Sequence, residues 1–356
     1  MNTKKKAKIL KRIFFIPIIF IFLSSSLPAS DSLSFQKGMA YPTWKAEQYG
    51  QPQSDESLRM LKENTLTEWV QLVPTWYQQD KRSVEINPDY SGQTARPETL
   101  RHAVQFAHSL GMKVMLKPHV DAFNGDWRGT FMPDDPEKWF HSYKEMLLDY
   151  AQMASEEGVE IFSIGCEFLE LTKPEFMHFW KDIISLVRGI YSGPLVYSAN
   201  WSIEYLHIEF WNELDFVGID AYFELTDKKD PTLDELLEAW KPHLTEIQAF
   251  YDTWSKPILF TEIGYRSLDG CNRYPWNWGI QGSVDLIEQA LCYQAVIRTF
   301  DGKPWFAGIY WWNWEPDPTL GGPADTGYTP QKKPAESIIE HWYGGESLQK
   351  KGSIKR

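Results

Sequence analysis

Cysteine is scarce in this sequence, and several short motifs that mark common enzyme classes are missing. Three cysteines in 356 residues cannot define a disulfide framework. Cys271 and Cys292 are candidates for one bridge in an oxidising compartment, and Cys166 is expected to be a small buried side chain. No His-x-x-x-His or Cys-x-x-Cys pair and no Gly-x-Ser-x-Gly elbow occurs. The sequence therefore supports neither a metal site nor a serine nucleophile, and we expect no cofactor.

Basic residues are also scarce once the first thirty residues are set aside. That segment has an apolar run over 13–23, small polar residues over 24–30 and, before them, a basic region of Lys4, Lys5, Lys6, Lys8, Lys11 and Arg12. This order is typical of a secretory signal peptide. The apolar run is shorter than the ~20 residues that span a bilayer. We therefore expect cleavage near Ala29 and Ser30 and a secreted or periplasmic protein, with an uncleaved anchor as the alternative.

The chain that would remain after cleavage is strongly acidic. It has 30 basic and 48 acidic residues, a formal charge of −18, which disfavours nucleic acid as a partner. We expect a neutral rather than an anionic substrate and no stable membrane partner. The 17 Trp and 17 Tyr exceed what a core of this size needs. Flat rings stack on the apolar faces of sugars, so the excess suggests a carbohydrate cleft, with an aromatic-rich core as the alternative.

An apolar strand-like run, a polar loop and a helical pattern recur eight times after residue 30. The strand-like runs lie near residues 37, 68, 113, 160, 194, 215, 257 and 306. No linker divides them, and a period of about forty residues fits one closed (β/α)8 barrel. We predict a signal segment over 1–30, a barrel domain over 31–345 and a basic tail over 346–356. An open doubly wound sheet is the alternative, but its Gly-rich phosphate-binding turn is missing.

Signals for helix boundaries accompany several of these repeats. Ser54 is predicted to cap the first helix, and the second is predicted to begin at Pro97 and to stop at Gly111. The fifth repeat has only a short apolar segment over 208–214, so its helix is predicted to be short.

Two glutamates, Glu167 and Glu262, each end an apolar run, IFSIGCE in the fourth repeat and PILFTE in the seventh. Side chains at the carboxyl ends of barrel strands converge on one cleft. Hydrolysis of a glycosidic bond needs one carboxyl group that gives a proton to the departing oxygen and another that attacks or stabilises the anomeric carbon. For a single glutamate, a rim ion pair or a helix cap is the alternative. Two glutamates in matching contexts favour catalysis.

Alternation along the strands predicts which other residues face this cleft. In the third strand, Lys117, His119 and Asp121 share one face, where they would bind sugar hydroxyls or form an ion-pair network that braces the rim. In the sixth strand, Asp220 and Tyr222 share the inward face.

The same rule applies to the two strands that carry the glutamates. It places Gly165 inward with Glu167, and Cys166 toward the helices. It places Phe260 inward with Glu262. Arg266, shortly after Glu262, is a candidate partner for Asp220 or for Glu262 itself.

Tryptophans near the predicted strand ends are candidate sugar platforms, with core packing as the alternative. The eighth strand ends in a cluster of three, of which at least one must face the helices. The candidates are Trp44 and Trp76 after the first two strands, Trp127 and Trp201 in loops, Trp276 and Trp278 after the seventh strand, and Trp311, Trp312 and Trp314 at the eighth.

Four segments carry a resemblance to a known family: GIDAYF around Tyr222, FTEIGYRS around Glu262, GIYWWNWEPD over 308–317 and DTGYTPQKKPA over 325–335. Over about residues 37–343, the chain resembles glycoside hydrolase family 113, the bacterial β-mannanases. That family is similar to the large clan of retaining (β/α)8 glycosidases, whose acid/base glutamate follows strand four and whose nucleophile follows strand seven. The resemblance implies that Glu167 is the acid/base and Glu262 the nucleophile.

The resemblance also implies roles for neighbouring residues. Tyr222 would orient the nucleophile, and Trp312 or Trp314 would form the floor of the −1 subsite, which holds the sugar whose bond is cleaved. The clan commonly has an asparagine before the acid/base, where it binds the sugar 2-hydroxyl. Here that residue is Cys166, and Asn200, at the end of the fifth strand, is the candidate to contact the hydroxyl instead.

The sequence thus predicts a retaining glycoside hydrolase that acts on β-1,4-linked mannan or manno-oligosaccharides. The enzymatic alternatives are an exo-acting β-mannosidase or mannobiohydrolase, a transglycosylase and a hydrolase of another β-glycan. A non-catalytic sugar-binding barrel is the alternative from another class. Such a protein would typically have lost one of the two carboxylates, and both are present.

Overall fold

Eight parallel strands pair in chain order and close into a barrel in the computed structural model, which describes residues 34–346. The barrel strands are β1 (Gln36–Pro42), β2 (Trp69–Val73), β4 (Lys113–Leu116), β6 (Ile161–Cys166), β7 (Leu195–Asn200), β8 (Phe216–Asp220), β9 (Ile258–Ile263) and β10 (Phe306–Trp311), and two short strands, β3 (Thr75–Gln78) and β5 (His119–Ala122), form a separate pair. The predicted barrel is confirmed, and β10 pairs with β1 to close it. The predicted signal segment over 1–30 and the predicted tail after Glu346 lie outside the described residues.

Strands β3 and β5 continue two barrel strands past a proline. Pro74 separates β2 from β3, and Pro118 separates β4 from β5. Proline has no N–H to give to a ladder, and β3 and β5 pair with each other in parallel. The His119 N–H donates to the Pro74 carbonyl at 2.9 Å. This pair extends the wall of the barrel beyond its carboxyl end.

An α-helix follows each of the eight barrel strands. The helices are α1 (Pro52–Thr65), α2 (Pro97–Ser109), α3 (Pro136–Glu157), α4 (Met177–Ile190), α5 (Glu204–His207), α6 (Leu233–Trp254), α7 (Leu286–Phe300) and α8 (Pro334–Tyr343). The predicted start of α2 at Pro97 is confirmed. The predicted cap Ser54 lies inside α1 instead, because the fixed φ of Pro52 suits the first helical position. Within residues 34–346, no helix is both long and apolar enough to cross a lipid bilayer.

The fifth helix is as short as predicted but lies earlier in the chain. It is the single turn α5, and the segment over 208–214 contributes only a 3-10 turn, Trp211–Glu213. The turn α5 therefore begins four residues after the end of β7 and lies close to the mouth of the barrel.

Apolar side chains form two layers, one inside the barrel and one between the strands and the helices. The inner cluster closes the barrel below the mouth and consists of Trp69, Met115, Ile161, Val196, Phe216, Leu259, Ala307 and Tyr310. A larger cluster fills the space between the strands and the helices. Burying each large side chain contributes roughly 1.5–3 kcal/mol, so the inner cluster stabilises the barrel below the polar residues of the mouth.

Strict alternation fails in the two strands that carry the glutamates. A Cβ at Gly165 would lie 2.5 Å from the Tyr197 ring, in the helix-facing layer, whereas the Cys166 thiol turns inward. In β9, Phe260 packs on Phe300 of the outer layer at 4.8 Å. The predicted orientations of Gly165, Cys166 and Phe260 are therefore wrong. The register shifts along both strands, and such irregularities re-aim side chains.

The three cysteines are buried and carry free thiols. Cys271, in the loop after β9, forms a hydrogen bond with Cys292 of α7. Burial raises the pKa of both thiols, which therefore stay protonated in neutral solution.

Candidate active site

Lys117 lies at the mouth of the barrel and binds two carboxylates. Its Nζ donates to both Asp220 oxygens at 2.9 and 3.0 Å and to Glu262 Oε1 at 2.6 Å. Lys117 and Asp220 are fully buried, and Glu262 is 6% exposed. Burial alone would lower the pKa of Lys117, but the charges of Asp220 and Glu262 outweigh it and raise the pKa. Lys117 is therefore a stable cation between two acidic groups.

Glu262, the second-to-last residue of β9, is held by donors on both oxygens. Oε1 accepts from Lys117, and Oε2 accepts from the Tyr222 hydroxyl at 2.9 Å. His119 Nε2 lies 3.5 Å from Oε1. Burial and then the charge of Asp220 raise the pKa of Glu262, and Lys117 opposes this rise. The direct contact with an ammonium group favours the ionised carboxylate.

Glu167, which follows β6, has neutral donors instead. Asn200 Nδ2 donates to its Oε1 at 2.8 Å, and Trp127 Nε1 lies 3.4 Å from Oε2. Burial and then the charge of Glu262 raise the pKa of Glu167. Its backbone φ of 52° lies in the left-handed region, which costs about 1–2 kcal/mol for residues other than glycine. Of the two glutamates, Glu167 is thus the one whose surroundings favour a bound proton.

Cys166 lies close to both glutamates. Its Sγ lies within 4.8 Å of one Glu167 oxygen and within 4.8 Å of one Glu262 oxygen. The distance between those two carboxylate oxygens is therefore less than twice 4.8 Å. Sγ also lies 3.3 Å from Asp220 Oδ2. Burial raises the pKa of the Cys166 thiol, which is therefore a neutral group. Both carboxyl groups thus lie near the same thiol at the mouth of the barrel.

Arg128 is a partly buried cation beside Cys166, with 14% of its side chain exposed, and its place in the site was not predicted from the sequence. Its Nη1 lies 3.1 Å from Cys166 Sγ, and its Nη2 donates to Asp121 Oδ1 at 2.5 Å. Asp121 thus forms an ion pair with Arg128. An ion-pair network was the predicted alternative to sugar binding for Asp121. Burial would lower the pKa of Arg128, but Asp121 and other acidic groups raise it. Arg128 belongs to a three-residue turn, Arg128–Thr130, and the only sequence signal is a Trp-Arg pair between two glycines.

Known proteins share this fold and its sequence pattern. A sequence profile of Glycoside Hydrolase Family 113 matches residues 39–333. The chain belongs to glycoside hydrolase family 113. The predicted resemblance is confirmed, and the protein is a glycoside hydrolase. Among the curated proteins compared, none matches this sequence.

Solved structures of family 113 agree with this assignment. A family 113 β-1,4-mannanase gives a TM-score of 0.78 at 27% identity, over 88% of this chain and 100% of the other. The β-mannanase of Alicyclobacillus acidocaldarius in complex with ManMIm gives 0.79 at 27% identity, over 88% and 98%. A β-glucuronidase of Ruminococcus gnavus is similar in fold alone, with a TM-score of 0.59 at 13% identity over 87% and 50%.

In this family 113 enzyme, Trp312 lies at the mouth between His119 and Trp44. The Trp312 ring is nearly parallel to the His119 imidazole, with centroids 6.4 Å apart, and Trp44 meets Trp312 edge-on at 6.3 Å. The peptide bond that follows Trp312 is cis. Burial, and then the charges of Arg128 and Lys117, lower the pKa of His119 well below its usual value. His119 is therefore a neutral imidazole beside Glu262.

Two of the tryptophans expected at the cleft lie elsewhere. Trp314 is fully buried, and its indole N–H donates to the Ser57 side chain and carbonyl at 3.0 and 3.1 Å, behind the barrel wall. Trp76 donates to the Tyr150 hydroxyl of α3 at 2.8 Å and packs against the helix layer. The structure therefore brings Trp312, and not Trp314 or Trp76, to the mouth.

A second group of aromatic residues lies on the side of β7 and β8. Trp201 lies 5.7 Å from the ring of Tyr222 and stacks on Trp276 at 6.5 Å. Trp276 Nε1 donates to Glu224 at 2.7 Å, and Trp278, further along the same loop, is 81% exposed. Trp201 and Trp276 thus form a stacked pair near the rim of the site.

Arg266 supports the loop after β9 instead of the acidic groups. Its guanidinium donates to the carbonyls of Thr326, Trp278 and Ile280. The suggested pairing with Asp220 or Glu262 is therefore replaced by contacts that hold the loop.

The site has donors that could bind a metal, but its charge opposes one. His119, Cys166 and Glu262 place ligand atoms within 4.8 Å of one another. The Lys117 ammonium already binds Glu262 at 2.6 Å, and it would repel a divalent ion held by the same carboxylate. A second acidic cluster lies at the surface and consists of Asp230, Asp269 and Asp285.

Proposed function

We propose that this glycoside hydrolase is a retaining β-mannanase, which cleaves β-1,4-mannosidic bonds in mannan or manno-oligosaccharides. One observation carries the mechanism: Glu262 contacts the Lys117 ammonium at 2.6 Å, whereas Glu167 accepts from the neutral donors Asn200 and Trp127. The substrate is supported by the relatives in family 113, which are β-1,4-mannanases.

In the first step, Glu262 attacks the anomeric carbon of the sugar in the −1 subsite. A bond forms between a Glu262 oxygen and this carbon while the glycosidic bond breaks, and Glu167 transfers its proton to the departing oxygen. Lys117 and Tyr222 orient Glu262 and keep it ionised. The raised pKa of Glu167 keeps its proton available until the bond breaks.

In the second step, water releases the sugar from Glu262. Glu167, which has lost its proton, now accepts one from the attacking water. The charge of Glu262 is one cause of the raised pKa of Glu167. Formation of the ester removes that charge and lowers the pKa, so Glu167 stays ionised until the water arrives.

Trp312 and Trp127 each lie near one member of this pair. Trp312 is parallel to His119, which neighbours Glu262, so we assign Trp312 to the floor of the −1 subsite. Trp127 contacts Glu167, and Glu167 must reach the departing oxygen, so we assign Trp127 to the leaving-group sugar. Asn200, bound to Glu167, replaces the usual asparagine as the candidate contact of the 2-hydroxyl.

The test is to incubate the purified protein with mannan, manno-oligosaccharides, cellulose and galactan and to identify the products. We expect reducing sugar from mannan and manno-oligosaccharides, with the β-anomer formed first in a proton NMR time course. An α-anomer formed first would overturn the retaining mechanism, and release from another glycan alone would overturn the substrate. Binding of oligosaccharides without any hydrolysis would favour a non-catalytic barrel.

The same approach separates endo from exo action. An endo-acting enzyme cleaves internal bonds of the sugar chain. Mannohexaose labelled at its reducing end should give labelled fragments of several lengths at early times. Release of only mannose or mannobiose from the non-reducing end would favour an exo-acting β-mannosidase or mannobiohydrolase.

We also propose that the protein is exported, on the basis of the basic, apolar and small-residue order over 1–30. N-terminal sequencing of the protein from the culture medium and the periplasm should give a start near residue 31. A start at Met1 in the membrane fraction would favour an uncleaved anchor.

A further inference from the structure

Glu204 is a fully buried carboxyl group behind the acid/base glutamate. It is the first residue of α5, the single turn after β7, and has no exposed surface. The two-step reaction described above does not use it. A buried carboxyl group is unfavourable unless its oxygens are satisfied, so its partners indicate what it does.

Both oxygens of Glu204 accept hydrogen bonds, one from two hydroxyl groups and the other from a backbone N–H. Oε1 accepts from the Tyr197 hydroxyl at 2.6 Å and from the Thr172 hydroxyl at 3.1 Å. Oε2 accepts from the Asn200 backbone N–H at 2.7 Å. The carboxyl group therefore links the end of β7 with the chain that follows β6.

The Tyr197 contact leads to the backbone of the acid/base. The Phe168 N–H donates to the Tyr197 hydroxyl at 2.8 Å, and Phe168 directly follows Glu167. Glu167 has the left-handed backbone, which persists only where surrounding contacts hold it. Glu204, through Tyr197, is thus one of the contacts that hold this conformation.

The Asn200 contact leads to the carboxyl group of the acid/base. Glu204 holds the Asn200 backbone, and Asn200 Nδ2 donates to Glu167 Oε1 at 2.8 Å. Ser202 donates to Asn200 Oδ1 from its N–H at 3.0 Å and from its hydroxyl at 2.6 Å, which orients the amide. The backbone and the carboxyl group of Glu167 therefore both depend on Glu204.

We propose that Glu204 is a positioning residue for the acid/base, which holds the Glu167 backbone through Tyr197 and the Glu167 carboxyl group through Asn200. The inference rests on the proposed function, because it requires Glu167 to act as the proton donor. Burial also raises the pKa of Glu204 to about 8. A group so unfavourable to bury is typical of functional sites rather than of simple core packing.

The test compares Glu204→Gln with wild type on two aryl glycosides of the sugar that the wild type releases. A dinitrophenolate leaving group departs without a proton, whereas a methoxyphenolate needs one. A displaced acid should therefore lower kcat/KM by about tenfold to a hundredfold for the methoxyphenyl substrate and by less than about threefold for the dinitrophenyl substrate. Azide should also speed turnover of the dinitrophenyl substrate by Glu204→Gln but not by wild type.

Thr172→Val is the matched control. It removes a hydroxyl that donates to the same Glu204 oxygen but that contacts neither Phe168 nor Asn200. We expect a lower unfolding temperature and an unchanged ratio of kcat/KM between the two substrates. A purely structural role of Glu204 would instead give the same ratio in Glu204→Gln, Thr172→Val and wild type.

Tyr197→Phe provides a second variant in case Glu204→Gln does not fold. It removes the hydroxyl between Phe168 and Glu204, and it should show the same selective loss on the methoxyphenyl substrate. Equal losses on both substrates in the folded variants would overturn the inference while the wild type remains active. Failure of the proposed function would look different, because the wild type itself would release no sugar.

Discussion

Lys117 Nζ lies 2.6 Å from Glu262 Oε1, and the same ammonium binds both oxygens of Asp220. One cation thus faces two buried carboxylates from neighbouring strands. This arrangement keeps a carboxylate ionised where burial alone would favour its neutral form. Together with the Tyr222 hydroxyl, it also fixes the direction of the Glu262 carboxylate.

Lys117→Met is expected to damage both stability and activity. Removing one partner of a buried ion pair typically costs about 3–5 kcal/mol, and the two remaining carboxylates would repel each other. We expect a loss of this size in urea unfolding and a fall in kcat/KM of at least about a hundredfold. Adding Asp220→Asn should recover part of the stability but not the activity. Unchanged activity in the single variant would show that Glu262 does not need this cation.

Glu262→Ala is expected to abolish turnover, because the carboxylate that forms the glycosyl ester is removed. Azide or formate should restore part of the activity on an activated aryl glycoside by entering the vacated space. The product with azide should be the α-glycosyl azide, which NMR identifies. Full activity of the variant without added anions would remove Glu262 as the nucleophile.

Glu167→Ala is expected to separate substrates by their leaving groups. Loss of a general acid removes about 10²–10⁴-fold in rate for a leaving group that needs a proton, and far less for an activated aryl glycoside. With azide, this variant should form the β-glycosyl azide, opposite to the Glu262 variant. Equal losses on both types of substrate would argue against the role of Glu167 as acid.

The stability of the protein should fall with rising pH because of Glu204. Its pKa is raised from 4.5 to about 8 in the folded state, so the folded protein binds more protons than the unfolded chain between these values. This contribution is fully present below about pH 4.5 and is lost toward pH 8, at up to about 1.4 kcal/mol per pH unit. Urea unfolding at several pH values should show a smaller slope for Glu204→Gln. Identical slopes would mean that Glu204 is ionised throughout.

The barrel and the two glutamates could be predicted because they follow from strong local patterns. Each strand is an apolar run, the period is regular, and Glu167 and Glu262 end two of these runs. The direction of Cys166 could not be predicted, because a register shift in β6 depends on pairing with its neighbour. Arg128 and Glu204 come from turns of three and four residues, which have no periodicity to mark them.

The same limit explains the outcome for the tryptophans. Trp312 and Trp314 differ by two positions, and alternation alone would have placed them on one face. Only the three-dimensional structure shows that one ring lies at the mouth while the other donates to Ser57 behind the wall.

Because the backbone at Glu167 is left-handed, one change at this codon is expected to increase heat resistance and to abolish turnover. Glycine adopts that conformation without strain, so Glu167→Gly should raise the free energy of unfolding by about 1 kcal/mol and eliminate the proton donor. A variant library screened only for survival of heating should therefore become enriched in glycine at this codon. A library screened for sugar release should discard it.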